Sequence, residues 1–410
     1  MSIAQQAKLN SEKGENARPN LFEMKINEID VPIMVVKDLA IREYAYSLLP
    51  IIELTISDEF LWTEYTPIQE GHEINITMGS TKDSDPTIKT VFEIISFQHK
   101  QVQTGLDMSS TVTIILGTFK ANQIIGDIDS KAYKNMTTTE VIESLATELE
   151  VPVDVKIQSQ DKMTWWRLNQ SYLDFFNLLV NKSFPGDNDT PFIYFDTMGK
   201  LNFTSLKTAL NSNIKVLAHQ NPSLANSPSE NETYVNFTSY YVTDQSGFTN
   251  KFGGNKTTFS YYDTENLITK EFNSDNIDTN LVKITNKTEL SKGKTSKHII
   301  YGLLNPSLYP NYFDAQAGNQ YIKQTFLTTS TVITIPAHSN IKLFDKIYIV
   351  INSASKKNGI NEVYSGNYII TGIVHVINNK ESYSMTLVLS RDGQNKSNLW
   401  DQYKSKLIEV

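Results

Sequence analysis

The sequence predicts a mainly β protein with a smaller α/β part: two similar antiparallel β-barrels in one chain, with an α/β domain inserted. Three observations carry this. The stretch from Gly366 to Asp392 alternates with a period of two around a polar turn at Asn378–Glu381. Its strands have a distant counterpart near the start of the chain, in the same order. Between the two copies, residues 120–205 change to helical spacing.

The C-terminal hairpin reads as strands Tyr368–Val376 and Ser384–Ser390. In the second, Met385, Leu387 and Leu389 alternate with Ser384, Thr386, Val388 and Ser390. Val91–His99 aligns without a gap on Asn367–His375, with Ile94 on Ile370 and His99 on His375. Ile74, Ile76 and Met78 match Ile347, Ile349 and Ile351. Val112, Ile114 and Leu116 are expected to match Met385, Leu387 and Leu389 on the buried face. The gap lengths differ at the turns, where a duplicated unit drifts first.

In chain order, residues 1–20 are a polar arm without periodicity. Residues 21–119 are the first barrel, with strands at Phe22–Val31, Ile51–Ser57, Phe60–Glu64 and Glu73–Met78. Asp38–Leu49 reads as a short helix or irregular loop, and Gly79–Pro86 as an exposed loop. Residues 120–205 with about 242–319 form the α/β insert. There, Thr137–Thr139 before Glu140 starts a helix that ends before Pro152. A second helix runs over Ser171–Lys182 with Tyr172, Phe175, Phe176, Leu179 and Val180 as its apolar stripe, and a hairpin follows at Phe192–Ser205.

Residues 206–241 with about 320–392 are the second barrel. It contains a strand Tyr234–Val242 whose Val235, Phe237 and Ser239 share one face, and further strands at Val332–Ile335 and Asp345–Asn352. Asn221–Glu232 and Phe248–Asn255 read as loops, Leu281–Ile284 and His298–Leu303 as strands, and Gly318–Phe326 as a helix. Residues 393–410 carry Leu399, Trp400, Tyr403, Leu407 and Ile408 at amphipathic helical spacing.

At 410 residues the chain exceeds one core and suggests two to four domains. The absence of cysteine excludes disulfides, thiolate metal sites and cysteine nucleophiles, and fits synthesis in a reducing cytoplasm. A net charge of -8 argues against a dedicated nucleic-acid binder. No run of 18 apolar residues is present, and the N-terminal stretch has no hydrophobic segment, so neither a signal peptide nor membrane insertion is expected.

Motifs for chemistry are weak. His72, His99, His219, His298, His338 and His375 show no metal-ligand spacing, and His72–Glu73 lacks the second histidine of a zincin helix. Gly253–Thr257 has the wrong spacing for a phosphate loop. Ser353–Lys356 matches Ser-x-x-Lys only inside a polar loop. Asp127–Asp129 and Asp187–Asp189 lack the remainder of a calcium loop. We therefore expect no catalytic residues, no cofactor, no metal and no enzyme activity; His99 and His375 read as structural rim residues.

The hairpin resembles the last hairpin of the hub family of contractile tails: T-even and Mu-type phage baseplate hubs and the hub half of type VI secretion spike proteins. The resemblance rests on Ile373-Val374-His375, the polar turn Asn378–Glu381 and Leu387–Asp392, and on element order over nearly the whole chain. It implies a homotrimeric ring with pseudo-sixfold symmetry, adapting a hexameric tail tube to a trimeric central spike. Other baseplate proteins would be neighbours, DNA would pass only in transit, and the location would be the virion baseplate after synthesis in the host cytoplasm. A tail-associated cell-wall hydrolase and a β-rich receptor-binding protein are the alternatives; the former lacks spare chain length.

Overall fold

A computed structural model describes residues 21–58, 68–79, 86–103, 109–120, 124, 126–220, 233–244, 256–273, 284, 296–304, 306–326, 328–338, 340–353, 359–378 and 382–395. The expected features at residues 1–20, Phe60–Glu64, Asn221–Glu232, Phe248–Asn255 and 396–410, the tips of the Gly79–Pro86 and Ser355–Asn361 loops, and all of Leu281–Ile284 but Ile284 lie outside the described residues.

The first part of the chain supplies β1 (Leu21–Ile26), β2 (Ile29–Asp30), β3 (Val36–Tyr44), β4 (Ile51–Asp58), β5 (Glu73–Gly79), β6 (Ile88–Gln103) and β7 (Ser109–Phe119). Two expectations change here. Phe22–Val31 is not one strand: Asn27 and Glu28 take φ of 46° and 68°, a tight turn between β1 and β2. The segment Asp38–Leu49 is largely β3, a central strand rather than a helix or loop. Its alternation is masked by a register shift between Val36 and Asp38 and by a charged residue, Glu43, at a buried position.

The middle part supplies β8 (Asp129–Met136), α1 (Thr138–Glu148), β9 (Val153–Val155), β10 (Met163–Gln170), α2 (Tyr172–Lys182), β11 (Pro191–Phe195), β12 (Leu201–Ser205) and α3 (Leu206–Asn211). Helix α1 begins as expected: the Thr137 side chain accepts from the Glu140 N–H while the Glu140 carboxylate accepts from the Thr137 N–H at 2.7 Å. Ser171 caps α2, accepting from Asp174 N–H at 3.1 Å. In the turn between β11 and β12, Gly199 has φ of +74° and the Asp196 carboxylate accepts from Met198 and Lys200 N–H.

Strand β11 is buried on both faces and divides two cores. Phe192 and Tyr194 join the main core, while Ile193 and Phe195 join a second core. That second core gathers α1, α2 and Trp165, and draws Leu48, Leu49, Tyr309 and Ala315 from distant parts of the chain.

The remainder supplies β13 (Ile214–His219), β14 (Thr233–Asn236), β15 (Tyr240–Asp244), β16 (Lys256–Asp263), β17 (Ile268–Asn273), β18 (Ser296–Leu304), α4 (Tyr312–Phe326), β19 (Thr329–Pro336), β20 (Lys346–Val350), β21 (Gly366–Asn378) and β22 (Ser382–Arg391). The expected strand Tyr234–Val242 breaks at Phe237–Ser239: β14 runs parallel to β13, and β15 pairs antiparallel with β19. The buried Phe237 sits at the break and turns the chain from one neighbour to the other.

Fourteen strands among the described residues form one large sheet. One run within it is β5-β6-β7-β4-β3, another is β20-β21-β22-β19-β15, and β21 joins them by pairing with β3. Both runs contain the same irregularity. The β6–β7 register shifts between Ile94 and Ser96, and the β21–β22 register shifts between Ile370 and Gly372. These are matched positions in the sequence alignment, and bulges are designed features rather than noise.

The register also corrects the alignment of the second strand. Ile94 lies opposite Gly117, and Ile370 opposite Leu389. Thr113 therefore matches Met385, and Ile115 matches Leu387, one residue later than expected for β7. Val112, Ile114 and Leu116 face outward and Ile114 is 41% exposed, whereas Ile115 is fully buried. The apolar alternation of β7 marks its outer face, because threonine and glycine occupy the inner one. The match of Ile74 with Ile347 stands, since they lie opposite the matched Phe92 and Tyr368.

Candidate functional site

The two long strands β6 and β21 differ at one edge. In β21, residues Gly366–Ile369 pair with β20 and Gly372–Asn378 pair with β3 along the same edge, while β22 covers the opposite one. In β6, residues Ile88–Glu93 pair with β5, and Ile94 exchanges backbone bonds with Gly71 and His72. Beyond Ile94 no strand continues that edge among the described residues, although β7 follows the other edge as far as Gln103.

The filled edge is dry. Residues Thr371–Asn378 are all buried, and the outer face carries a small cluster of Val374 and Val376 against Ala40 and Tyr44. Gly372 makes the approach possible: a Cβ there would meet the Tyr44 ring at 2.5 Å. Glu43 lies opposite Ile373 and is 5% exposed. Burial, with Asp196 nearby, pushes its carboxyl up to about 8, although Thr197 N–H donates to it at 3.2 Å.

His375 lies on this junction, opposite Ile41, with its Nδ1 2.9 Å from the Tyr383 hydroxyl. Burial pushes its imidazole down to about 3. Its match His99 is exposed, with Nδ1 2.9 Å from Thr113 Oγ1. The two histidines thus occupy one rung of a repeated pattern in opposite environments.

The open edge is wet and partly apolar: Ile95, at the bulge, is 49% exposed, and Phe97, opposite Ile115 of β7, is 38% exposed. Strand β15 is the second such edge. It pairs with β19 as β3 pairs with β4, and along Tyr240–Thr243 no strand covers its other side among the described residues.

Of the weak motifs, Gly253–Asn255 and Ala354–Lys356 lie outside the described residues. Asp129 pairs with Arg167 at 3.2 Å, and Asp189 accepts from Thr190 and Lys207 N–H. Lys256 and Thr257 open strand β16, whereas a phosphate loop leads into a helix. Among the described residues no group of three or more His, Asp or Glu could hold a metal ion, and no helix is long and apolar enough to cross a membrane. A cavity of about 400 Å³ lies between α2 and β11, lined by Phe176, Val180 and Phe192 with Lys323 at its wall. Burial pushes the Lys323 amine down to about 8.

No protein-family model and no curated protein sequence matches the chain. Solved structures do. A tail protein from Neisseria meningitidis aligns at TM-score 0.60 and 11% identity, over 90% of this chain and 96% of that one. The 43 kDa tail protein of prophage MuSo2 from Shewanella oneidensis aligns at TM-score 0.58 and 11% identity, over 91% and 99%. An Escherichia coli component of the type VI secretion system aligns at TM-score 0.47 and 9% identity, over 92% and 79%. At the level of fold, the resemblance to tail hubs carried by the C-terminal hairpin therefore holds: this chain has the fold of phage tail proteins.

Proposed function

We propose that the chain is a structural hub of a phage tail or related contractile injection machine, located in the baseplate, and that it acts as a homotrimer. The observation that carries this is the repeated pairing unit, with its bulge at matched positions and, among the described residues, its edge filled in one copy only. Two similar units in each chain, repeated about a threefold axis, present six similar units. Such a ring can face a hexameric tail tube on one side and a trimeric spike on the other, where a plain trimer or hexamer would match one neighbour only.

In this reading the two repeated units are barrel-like halves, the insert lies outside the ring, and the lumen conducts DNA in transit. The lining should not be strongly basic, because each phosphate-neutralising cation adds affinity that would hold the cargo. The net charge of -8 is compatible with that. We further propose that the chain is not an enzyme.

The test is the molar mass of the purified protein by light scattering, followed by imaging of the assembled tail. Three chains in the ring, with interfaces on the order of 2,000 Å² or more per pair, are expected for an obligate assembly. Six separate chains, or turnover of peptidoglycan by the purified chain, would overturn the reading.

A further inference from the structure

We infer that the open edge of β6 is the docking site for β15 of a second copy of this chain, paired antiparallel in a defined register. The inference rests on the reading of the chain as a ring-forming hub and supplies its contact surface. The template is the junction already inside the molecule, where β3 fills the same edge of β21.

The register follows from matched rungs. Ile94 and Ile370 precede the bulges and lie opposite Gly117 and Leu389. Those residues lie opposite Ile52 of β4 and Thr331 of β19, which in turn lie opposite Ile41 of β3 and Val242 of β15. Strand β15 is therefore the counterpart of β3, as β6 is of β21.

Within the chain, β3 sits on β21 with Arg42 opposite Val374, Ile41 opposite His375, Ala40 opposite Val376 and Leu39 opposite Ile377. Carried to the matched positions, Thr243 of one copy lies opposite Gln98 of the next, Val242 opposite His99, Tyr241 opposite Lys100 and Tyr240 opposite Gln101.

Physical chemistry favours this occupant. An edge strand presents unpaired N–H and C=O groups that template another strand, and a long open edge with apolar side chains is a liability unless covered. The side chains suit the rungs. The stem of exposed Lys100 can lie along the ring of Tyr241, which is 50% exposed. Val242 would cover the imidazole of His99 as Ile41 covers His375. The two surfaces differ, so the contact is heterologous and propagates until a ring closes.

The chain contains no cysteine, which makes disulfide trapping clean. The experiment uses the full chain carrying Gln98→Cys with Thr243→Cys, and as an off-register control Gln98→Cys with Tyr241→Cys. Directly opposite residues bring Cβ atoms to about 4.5–5.5 Å, close to disulfide range, while diagonal neighbours are about 7–8 Å apart. Mild oxidation is expected to give covalent trimers from the first pair and not from the second. Mixing the two single variants should give dimers that neither forms alone. Unchanged circular dichroism and melting of the single variants control for folding.

Dimers from one single variant alone, or trapping only in the control pair while light scattering reports a trimer, would overturn this register and leave the ring reading standing. Covalent ladders beyond three chains would support the pairing and overturn the closed ring. A chain that stays monomeric and untrapped up to millimolar concentration would overturn both.

Discussion

The distal halves of β6 and β21 carry the same bulge, the same histidine rung and the same relation to their hairpin partners, yet one is exposed and the other is buried. The difference is one strand. β21 has β3 along its edge; β6 has nothing comparable among the described residues. Burial here follows which neighbour strand is present, and Phe97 is an apolar residue left 38% exposed among the described residues.

The sharpest way to break this comparison is to truncate matched apolar residues. Ile373→Ala, at a fully buried site, should cost about 2–5 kcal/mol in a denaturant melt. Phe97→Ala in the dissociated monomer should cost less than about 0.5 kcal/mol while weakening self-association. Equal losses would mean that the β6 edge is covered within its own chain.

The junction also makes a pH prediction. The folded-state pKa of Glu43, at about 8, lies above its ordinary value of 4.5. The folded state then holds the extra proton, so this contribution is fully present below about pH 4.5 and is lost as pH rises through about 8. Glu43→Gln should remove a slope of up to about 1.4 kcal/mol per pH unit in that window and leave the variant more stable than the parent at pH 8. Parallel stability–pH curves for parent and variant would show that Glu43 is solvated and the junction is open.

A smaller effect tests close approach. Gly372→Ala should cost about 1–3 kcal/mol, because the new methyl meets the Tyr44 ring. The matched Ser96→Ala should change monomer stability by less than about 0.5 kcal/mol. The smallest effect sharpens the register. Ile114→Ser should lie within about 0.5 kcal/mol of the parent in monomer stability, since that side chain is 41% exposed. A loss of several times that size would return Ile114 to the inner face and undo the one-residue correction.

Much of the fold was legible because it is local. Thr137 and Glu140 cap α1 through bonds that span three residues, and Ser171 caps α2 in the same way. The C-terminal hairpin was legible because both of its faces are buried in a regular pattern, with Met385, Leu387 and Leu389 inward. Strand β3 was not legible. Its bulge near Lys37 and its buried Glu43 break the alternation, and helix-compatible residues fill the gaps. In β7 the alternation was clear but pointed outward, since period two tells which residues share a face and not which face is wet.

The candidate edge was half legible: the sequence matched His99 with His375 but gave both the same bland role. By itself the sequence determined α1 with its cap, α2, the C-terminal part of α4, the repeat of β5–β6 on β20–β21, and the absence of cysteine chemistry, because these depend on neighbours along the chain or on composition; it missed α3, which opens the stretch expected to be barrel. Only the tertiary structure decided that β3 crosses to β21, that β11 divides two cores, and that among the described residues β6 and β15 each keep an open edge. Strand partners far apart in sequence are chosen by hydrogen bonds and burial in three dimensions, and no local pattern records which edge is left over.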